Sequence, residues 1–392
     1  MERSRSSTLT WTRIPSCDGR RSPGPMRQCC RSLQTCKWPL RLPEPRKADG
    51  ARPFKQMSVD KVESDAFHQN QQVSVKPIKF SFYLQNLQAT LEQRVARFAA
   101  KEALQLLERL EGAGGFMGEV LAELKGLAEA AQVPLQALCS LSLQYEAYCA
   151  CTAVAARVED GSIALARTLD WEFPQLKALN IDVRVFRGRQ LLYVATTWAG
   201  YIGILTAQRP ERYAAAVNFR EPSETSEVKV DALPVGLALR SVLERNENYA
   251  DFLKDIASIP VMAPFYCLVA STSGAAQITR DGLTEIKRRV LAEDQLYLVQ
   301  ANMDHWDNDM ANDNQQSLER CKLVEEMLQL PLTRGYVEED ELWSILWKHP
   351  IYEKGITLYS TVMNPSQGTF KSLSDPPDAP ADDRRGRKKS RK

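Results

Sequence analysis

The apolar positions of this chain change period near its middle. Between Phe80 and Leu110 they recur at threes and fours, at Leu84, Leu87, Leu91, Val95, Ala99, Ala103, Leu106 and Leu110, the spacing of one helical face. Gly112-Ala113-Gly114-Gly115 breaks the pattern, and Met117, Val120, Leu121, Leu124 and Leu127 predict a second helix. A third is predicted from Pro134 to Tyr145, with the proline in the first turn. From Cys151 onward the period is two. Strands are predicted over 151–158, 162–169, 179–186, 190–197 and 212–219, and Arg187-Gly188-Arg189 joins the third and fourth as a hairpin. Helices follow at 234–245 and 249–256, then strands at 265–270, 276–279, 283–288 and 295–301. Helices near 316–328 and 338–347 precede a last strand, ITLYSTVM, at 356–363. Hairpin-rich antiparallel strands with helices between them predict an α+β fold, two stacked sheets flanked by helical layers.

Composition narrows the class without choosing a chemistry. At 392 residues, with 44% hydrophobic and 26% charged positions, the chain suits one large or two modest globular domains. The net charge of +2 hides an uneven distribution. Before Met57 there are 13 Lys/Arg against 4 Asp/Glu, and the terminal DDRRGRKKSRK is basic as well. Residues 1–75 are expected to be a disordered basic extension or a targeting segment, with Met57 an alternative start. That stretch lacks the apolar core of about 7–15 residues of a secretory leader. No apolar run reaches the ~18–20 residues of a membrane span. The basic ends carry no interleaved aromatics, so no nucleic-acid partner is expected.

The chemistry has few places to come from. His68, His305 and His349 are the three histidines, so a Cys-His or Ser-His device has little to draw on. Nine cysteines give no even disulfide framework. Cys17, Cys29, Cys30 and Cys36 match no zinc spacing, and no cofactor or metal is expected. The segment CTAVAARVEDGSIALARTLDWEF is more telling. Cys151 opens an apolar strand, a turn at Glu159-Asp160-Gly161-Ser162 reverses it, and the second strand delivers Arg167 and Asp170. A paired hairpin is expected to gather all three side chains around one point. A cysteine that becomes a new N-terminus needs no histidine, because its α-amine, with a pKa near ~8, takes the thiol proton. Arg167 would favour the thiolate, Asp170 would accept from the new ammonium, and Asn302 in VQANMDHW would donate to an oxyanion. Each has a plain alternative: a buried strand cysteine, a structural ion pair, a turn residue.

Four separated motifs weigh on that choice. YEAYCACTAVAARVEDG…LARTLDW, TTWAGYIGILTAQRP, ANMDHW and the closing ITLYSTVM together resemble the acid ceramidase and N-acylethanolamine acid amidase family. These are cysteine N-terminal nucleophile (Ntn) hydrolases related to bile salt hydrolases and penicillin V acylases. The resemblance runs from about Phe80 to Lys371, with the motifs in family order. It implies a four-layer αββα sandwich and self-cleavage at Ala150-Cys151, which would leave an α/β heterodimer. The division would be a helical segment at 76–150, a catalytic chain at 151–371 and a disordered basic tail at 372–392. By position Cys151 matches the nucleophile, Arg167 and Asp170 its partners, and Asn302 the oxyanion asparagine. Trp198, Gly200, Tyr201 and Asn218 match substrate-binding positions. The substrate would be a lipid N-acyl amide, met in transient contact with a membrane surface.

There are departures. Phe219 stands where the family carries a glutamate after Asn218, and Asp313-Asn314-Gln315-Gln316 lacks the arginine expected after the NMDHW loop. The resemblance implies a lysosomal compartment. The missing leader core, and the absence of an N-x-Ser/Thr site other than Asn364-Pro365-Ser366, leave a cytoplasmic or organellar one open beside it. An acylase for smaller acyl groups, and an uncut inactive relative that binds lipid or a protein partner, stay open as alternatives.

Overall fold

The computed structural model describes the backbone of residues 71–75, 100–102 and 312–314, and residues 103–143, 149–171, 173–222, 229, 231–306 and 315–377. All of them belong to one compact unit. In chain order the elements are β1 (Gln71–Val75), α1 (Ala100–Glu111), α2 (Gly115–Ala131), α3 (Leu135–Ser142), β2 (Ala150–Arg157), β3 (Ile163–Asp170), β4 (Asn180–Arg187), β5 (Gln190–Trp198), β6 (Thr206–Arg209) and β7 (Tyr213–Phe219). Then come α4 (Val235–Arg245), α5 (Tyr249–Ser258), β8 (Phe265–Ser271), β9 (Ala275–Arg280), β10 (Glu285–Val290), β11 (Tyr297–Gln300), α6 (Asn312–Met327), α7 (Gln329–Arg334), α8 (Glu339–Leu346), β12 (Thr357–Asn364) and β13 (Thr369–Leu373).

The strands form two antiparallel sheets. One runs β1-β4-β5-β6-β7-β8-β9-β10 and the other β11-β2-β3-β12-β13. Three apolar clusters define the layers. Leu106, Leu124, Leu138, Leu237 and Phe252 of α1–α5 cover one face of the larger sheet at Val183, Tyr193, Ala215 and Val217. Ala153, Ala155, Ile163 and Leu165 meet Ala214, Ala216, Leu268 and Ala270 between the sheets. Val154, Ala156, Ala164 and Val362 pack on Val324 of α6, on Leu328 just after it, and on Leu342, Trp343 and Ile345 of α8. The order is helix, sheet, sheet, helix: a four-layer αββα sandwich. Alanines dominate the facing strands, and such small side chains suit two sheets that pack about 10 Å apart.

The helical face read for α1 is the one it buries: Ala103, Leu106 and Leu110 are inside while Leu104 is exposed. In α2, Leu121 and Leu124 are core, with Leu127 packed against them. Period two holds in β2. Cys151, Ala153 and Ala155 face the larger sheet, and Val154 and Ala156 face α6 and α8. Two expected boundaries move. Gln71–Val75, inside the stretch expected to be disordered, pairs antiparallel with β4 because its alternating polar and valine positions suit an added edge strand. At the other end β13 runs to Leu373, past the expected start of the disordered tail, since Thr369–Leu373 pairs with β12. The expectations for residues 1–70, the helix before Ala100 and the tail beyond residue 377 lie outside the described residues.

Candidate active site

Cys151 is the second residue of β2, a central strand flanked by β11 and β3. Its side chain is fully buried at the end of the inter-sheet space. Across the ladder Cys151 faces Leu169, and Ala153 faces Arg167. Arg167 is therefore the diagonal neighbour of Cys151 on the same face. Its Nη2 donates to the Cys151 Sγ at 3.1 Å and to the Val217 carbonyl at 3.0 Å. Its Nη1 donates to Thr206 Oγ1 at 2.5 Å and to the Tyr359 hydroxyl at 3.2 Å. Both sheets thus hold one guanidinium against one sulfur.

The thiol lies below its usual range, at about 7. Burial alone would raise it. A hydrogen bond from Cys149, the charge of Arg167 and the Phe219 N–H outweigh that, with Asp170 opposing them. A thiolate is accordingly accessible near neutral pH.

Asp170 does not join Cys151 and Arg167 on their face. It lies three residues after Arg167, and an odd separation along a strand turns a side chain to the other side. There its Oδ1 accepts from Thr357 Oγ1 at 2.6 Å. Burial pushes its carboxyl up to about 6, against the charges of Arg320 and Arg167 and the Thr357 hydrogen bond, with Glu353 adding to the rise. Cys151 and Arg167 are in direct contact, and Asp170 stands at the strand end cross-strand from Ala150, where its charge acts on both.

Asn302 follows β11 and holds the Cys151 peptide nitrogen. Its Oδ1 accepts from the Cys151 N–H at 2.8 Å. Its Nδ2 donates to the Phe219 carbonyl at 2.8 Å and to that of Cys149 at 3.4 Å. The loop carrying it is fastened from the larger sheet. Arg220 forks onto Asp304 at 2.8 and 2.6 Å, and the Tyr266 hydroxyl donates to the same carboxylate at 2.8 Å. Asn218 ties β7 to this loop by donating to the Gln300 carbonyl at 2.8 Å. Neighbouring His305 is depressed to about 4 by burial and by Arg289 and Lys287, so it stays neutral at neutral pH.

Arg320, on α6, was not among the sequence candidates. Its Nη1 donates to the Cys151 carbonyl at 2.5 Å and to Thr152 Oγ1 at 2.8 Å; its Nη2 donates to Asn302 Oδ1 at 2.9 Å. The arginine missing directly after the NMDHW loop is therefore supplied further along the helix that follows. On a helix that also carries Lys322 and several glutamates, nothing in the sequence singled out this arginine as the buried one.

Of the other candidates, Trp198 stacks on Tyr201 at 4.4 Å and meets Trp171 edge-on at 5.4 Å. Gly200 permits the turn between them at φ +91°. Tyr201 lies over Gly203 and Gly236, where an added Cβ would come within 2.7 and 2.1 Å of its ring or hydroxyl. These aromatics share the apolar cluster of Cys151. Two cavities, of about 450 and 180 Å³, lie among other residues and include none of this set.

Two packed antiparallel sheets between helical layers, with a polarised cysteine at the head of a central strand, are the arrangement that the Ntn-hydrolase resemblance implies. No protein-family model matches the chain. It is 27% identical to acid ceramidase of Bos taurus over 292 residues, 68% of this chain and 72% of that protein. It is 27% identical to the N-acylethanolamine-hydrolyzing acid amidase of Rattus norvegicus over 255 residues, 62% of this chain and 68% of that one. Among solved structures, the Caenorhabditis elegans ortholog of the latter aligns at 26% identity and a TM-score of 0.46, covering 55% of this chain and 93% of that one. Over about two thirds of its length the chain is thus similar to amide hydrolases, the acid ceramidases and the N-acylethanolamine-hydrolyzing acid amidases.

Proposed function

We propose that this chain is a precursor that cuts itself before Cys151 and then hydrolyses the amide bond of lipid N-acyl amides through a thioester on that cysteine. The observation that carries this reading is the double grip on one residue. Arg167 holds the Cys151 sulfur at 3.1 Å, while Asn302 and Arg320 hold its peptide nitrogen and carbonyl at 2.8 and 2.5 Å. A merely buried cysteine needs none of the three.

The thiolate attacks the Ala150 carbonyl carbon, and the oxyanion that forms draws on nearby N–H donors. The C–N bond breaks, the Cys151 nitrogen takes up a proton, and the acyl group passes to sulfur. Water then hydrolyses the thioester, releasing the Ala150 carboxylate and the thiol. The new α-amine stays beside Asn302 Oδ1. With an external amide the same thiolate attacks, that amine protonates the leaving amine, and it later acts as base for water. Asp170, Thr357 and Arg320 set the charge behind the strand end. The names of the relatives, a ceramidase and an N-acylethanolamine-hydrolyzing amidase, support a fatty acyl amide as substrate.

A denaturing gel with N-terminal sequencing tests the first step. The expected result is two fragments, the second starting at Cys151. A chain that stays whole under reducing conditions, or is cut elsewhere, leaves the inert-relative reading.

A further inference from the structure

Cys149 lies two residues before Cys151, and its sulfur is 3.8 Å from the Cys151 sulfur. Both side chains are buried. In the amidase reading Cys149 supports the Cys151 thiol but takes no bond-making step. We propose that Cys149 and Cys151 form a reversible disulfide under oxidation by a small peroxide, and that this bridge withholds the Cys151 sulfur from both self-cleavage and substrate.

Spacing brings the pair together. In extended chain, residues two apart share a face, so one intervening alanine leaves both thiols on the same side of the segment. The Cys149 thiol faces the sulfur that is most readily ionised, because Arg167 lies 3.1 Å from it on the other side. A thiolate is the form that peroxide attacks. Cover over both sulfurs restricts the oxidant to a molecule near the size of water, which hydrogen peroxide is.

The chemistry balances in two steps. The Cys151 thiolate displaces hydroxide from hydrogen peroxide and becomes a sulfenic acid. The Cys149 thiol then attacks that sulfur, the S–S bond forms and water leaves. Two thiols and one peroxide yield a disulfide and two waters. A second thiol within reach diverts the sulfenic acid from irreversible sulfinic acid. A bridge across a single residue closes a tight ring, and constrained bridges of this kind are the readily reduced ones. Bending at Ala150, the first residue of β2, also shifts the carbonyl that the thiolate would attack.

The consequence for activity rests on Cys151 as nucleophile; the bridge itself does not. The experiment uses the full chain, purified reduced and treated with at least two equivalents of hydrogen peroxide, the amount a sulfinic acid consumes. Free thiols are then alkylated and the digest is analysed by mass spectrometry without reductant. The expected product has lost two hydrogens across Cys149 and Cys151: an internal bridge in uncut chain, a cross-link between fragments in cut chain. Dithiothreitol should restore both thiols and most of the cutting or hydrolysis. Cys149→Ala, given the same dose, should carry Cys151 to sulfinic acid with no recovery. Sulfinic Cys151 in the wild type, both thiols still alkylatable, or a bridge to Cys139 or Cys267 instead would overturn the proposal. A chain that forms the bridge but never cuts would refute the amidase reading alone.

Discussion

Arg320 donates to the backbone carbonyl of Cys151, and the same guanidinium donates to the Asn302 oxygen that accepts from the Cys151 nitrogen. A side chain from the outer helical layer thereby fixes both ends of the residue proposed to react. Arg320→Ala would leave that carbonyl without its arginine donor and the Asn302 oxygen with the Cys151 N–H alone. The expected outcome is self-cleavage slower by about 10²-fold, in the range of losing one preorganised donor. A destabilisation of about 1–3 kcal/mol should accompany it. Cleavage time courses and thermal melts check both. Cutting at the normal rate in Arg320→Ala would reduce Arg320 to a structural tie.

Arg167 is expected to act on the sulfur electrostatically. Without the guanidinium, burial and Asp170 raise the thiol with less to oppose them. Arg167→Met should move the pH midpoint of Cys151 alkylation, and of cutting, upward from near 7 by about 1–3 units. The sign is fixed: less thiolate at any given pH, with the loss recovered in alkali. An unchanged midpoint with lower stability would assign Arg167 to the inter-sheet core alone.

Much of this was legible in the sequence, and the failures share a cause. The strand and helix order from Cys151 to Met363 followed from the change in period, because each apolar face meets a packed layer. Missed elements were short or carried polar edges. Thr206–Arg209 has four residues, and Thr369–Leu373 only half-buries its side chains. Arg167 could be placed because a hairpin register is local. Asp170 lies on the other face of β3 by the two-residue period, and only the packed structure shows that its charge still acts on Cys151 and Arg167. Arg320 and the Arg220–Asp304 fork could not be read, since they join elements that only the packed sheets bring together.

Asp170 gives a pH signature of its own. Its folded carboxyl titrates at about 6, above the usual 3.8, so the fold favours the protonated form. That contribution is fully present below the unfolded value and is lost as pH rises through about 6. Asp170→Asn stays neutral and should remove this slope. In a Cys151→Ala background, thermal stability of the Asp170 chain should fall between about pH 4 and 6 by up to ~3 kcal/mol more than that of the Asn chain. Parallel curves would mean that the carboxylate is better compensated than its surroundings indicate. In cleavable chain, Asp170→Asn should lower turnover more than it lowers stability.

The choice of acyl group can be argued from what surrounds the thiol. Cys151 shares its apolar cluster with Trp171, Trp198 and Tyr201, and with Leu121 and Leu124 of α2. Leu121 and Leu124 are packed core, so they offer no groove in the continuous chain. The aromatic trio is closer to what a substrate would meet, on a turn that Gly200 bends and beside Gly203 and Gly236, which leave room for the Tyr201 ring. Withdrawal of the segment ending at Ala150 after cleavage would expose this apolar wall and no carboxylate of the Cys151 face. Each buried methylene then contributes about 0.8 kcal/mol, close to fourfold in binding. Hydrolysis efficiency of the cut enzyme should rise with acyl length from acetyl and level off at fatty-acid size. The amine side should matter less, because Phe219 stands where the family resemblance expects a charged glutamate. The measurement is kcat/KM for a series of N-acyl amides from acetyl to palmitoyl on one amine. A preference for acetyl or propionyl would reject the lipid substrate and select the small-acyl acylase, with the Cys151 chemistry intact.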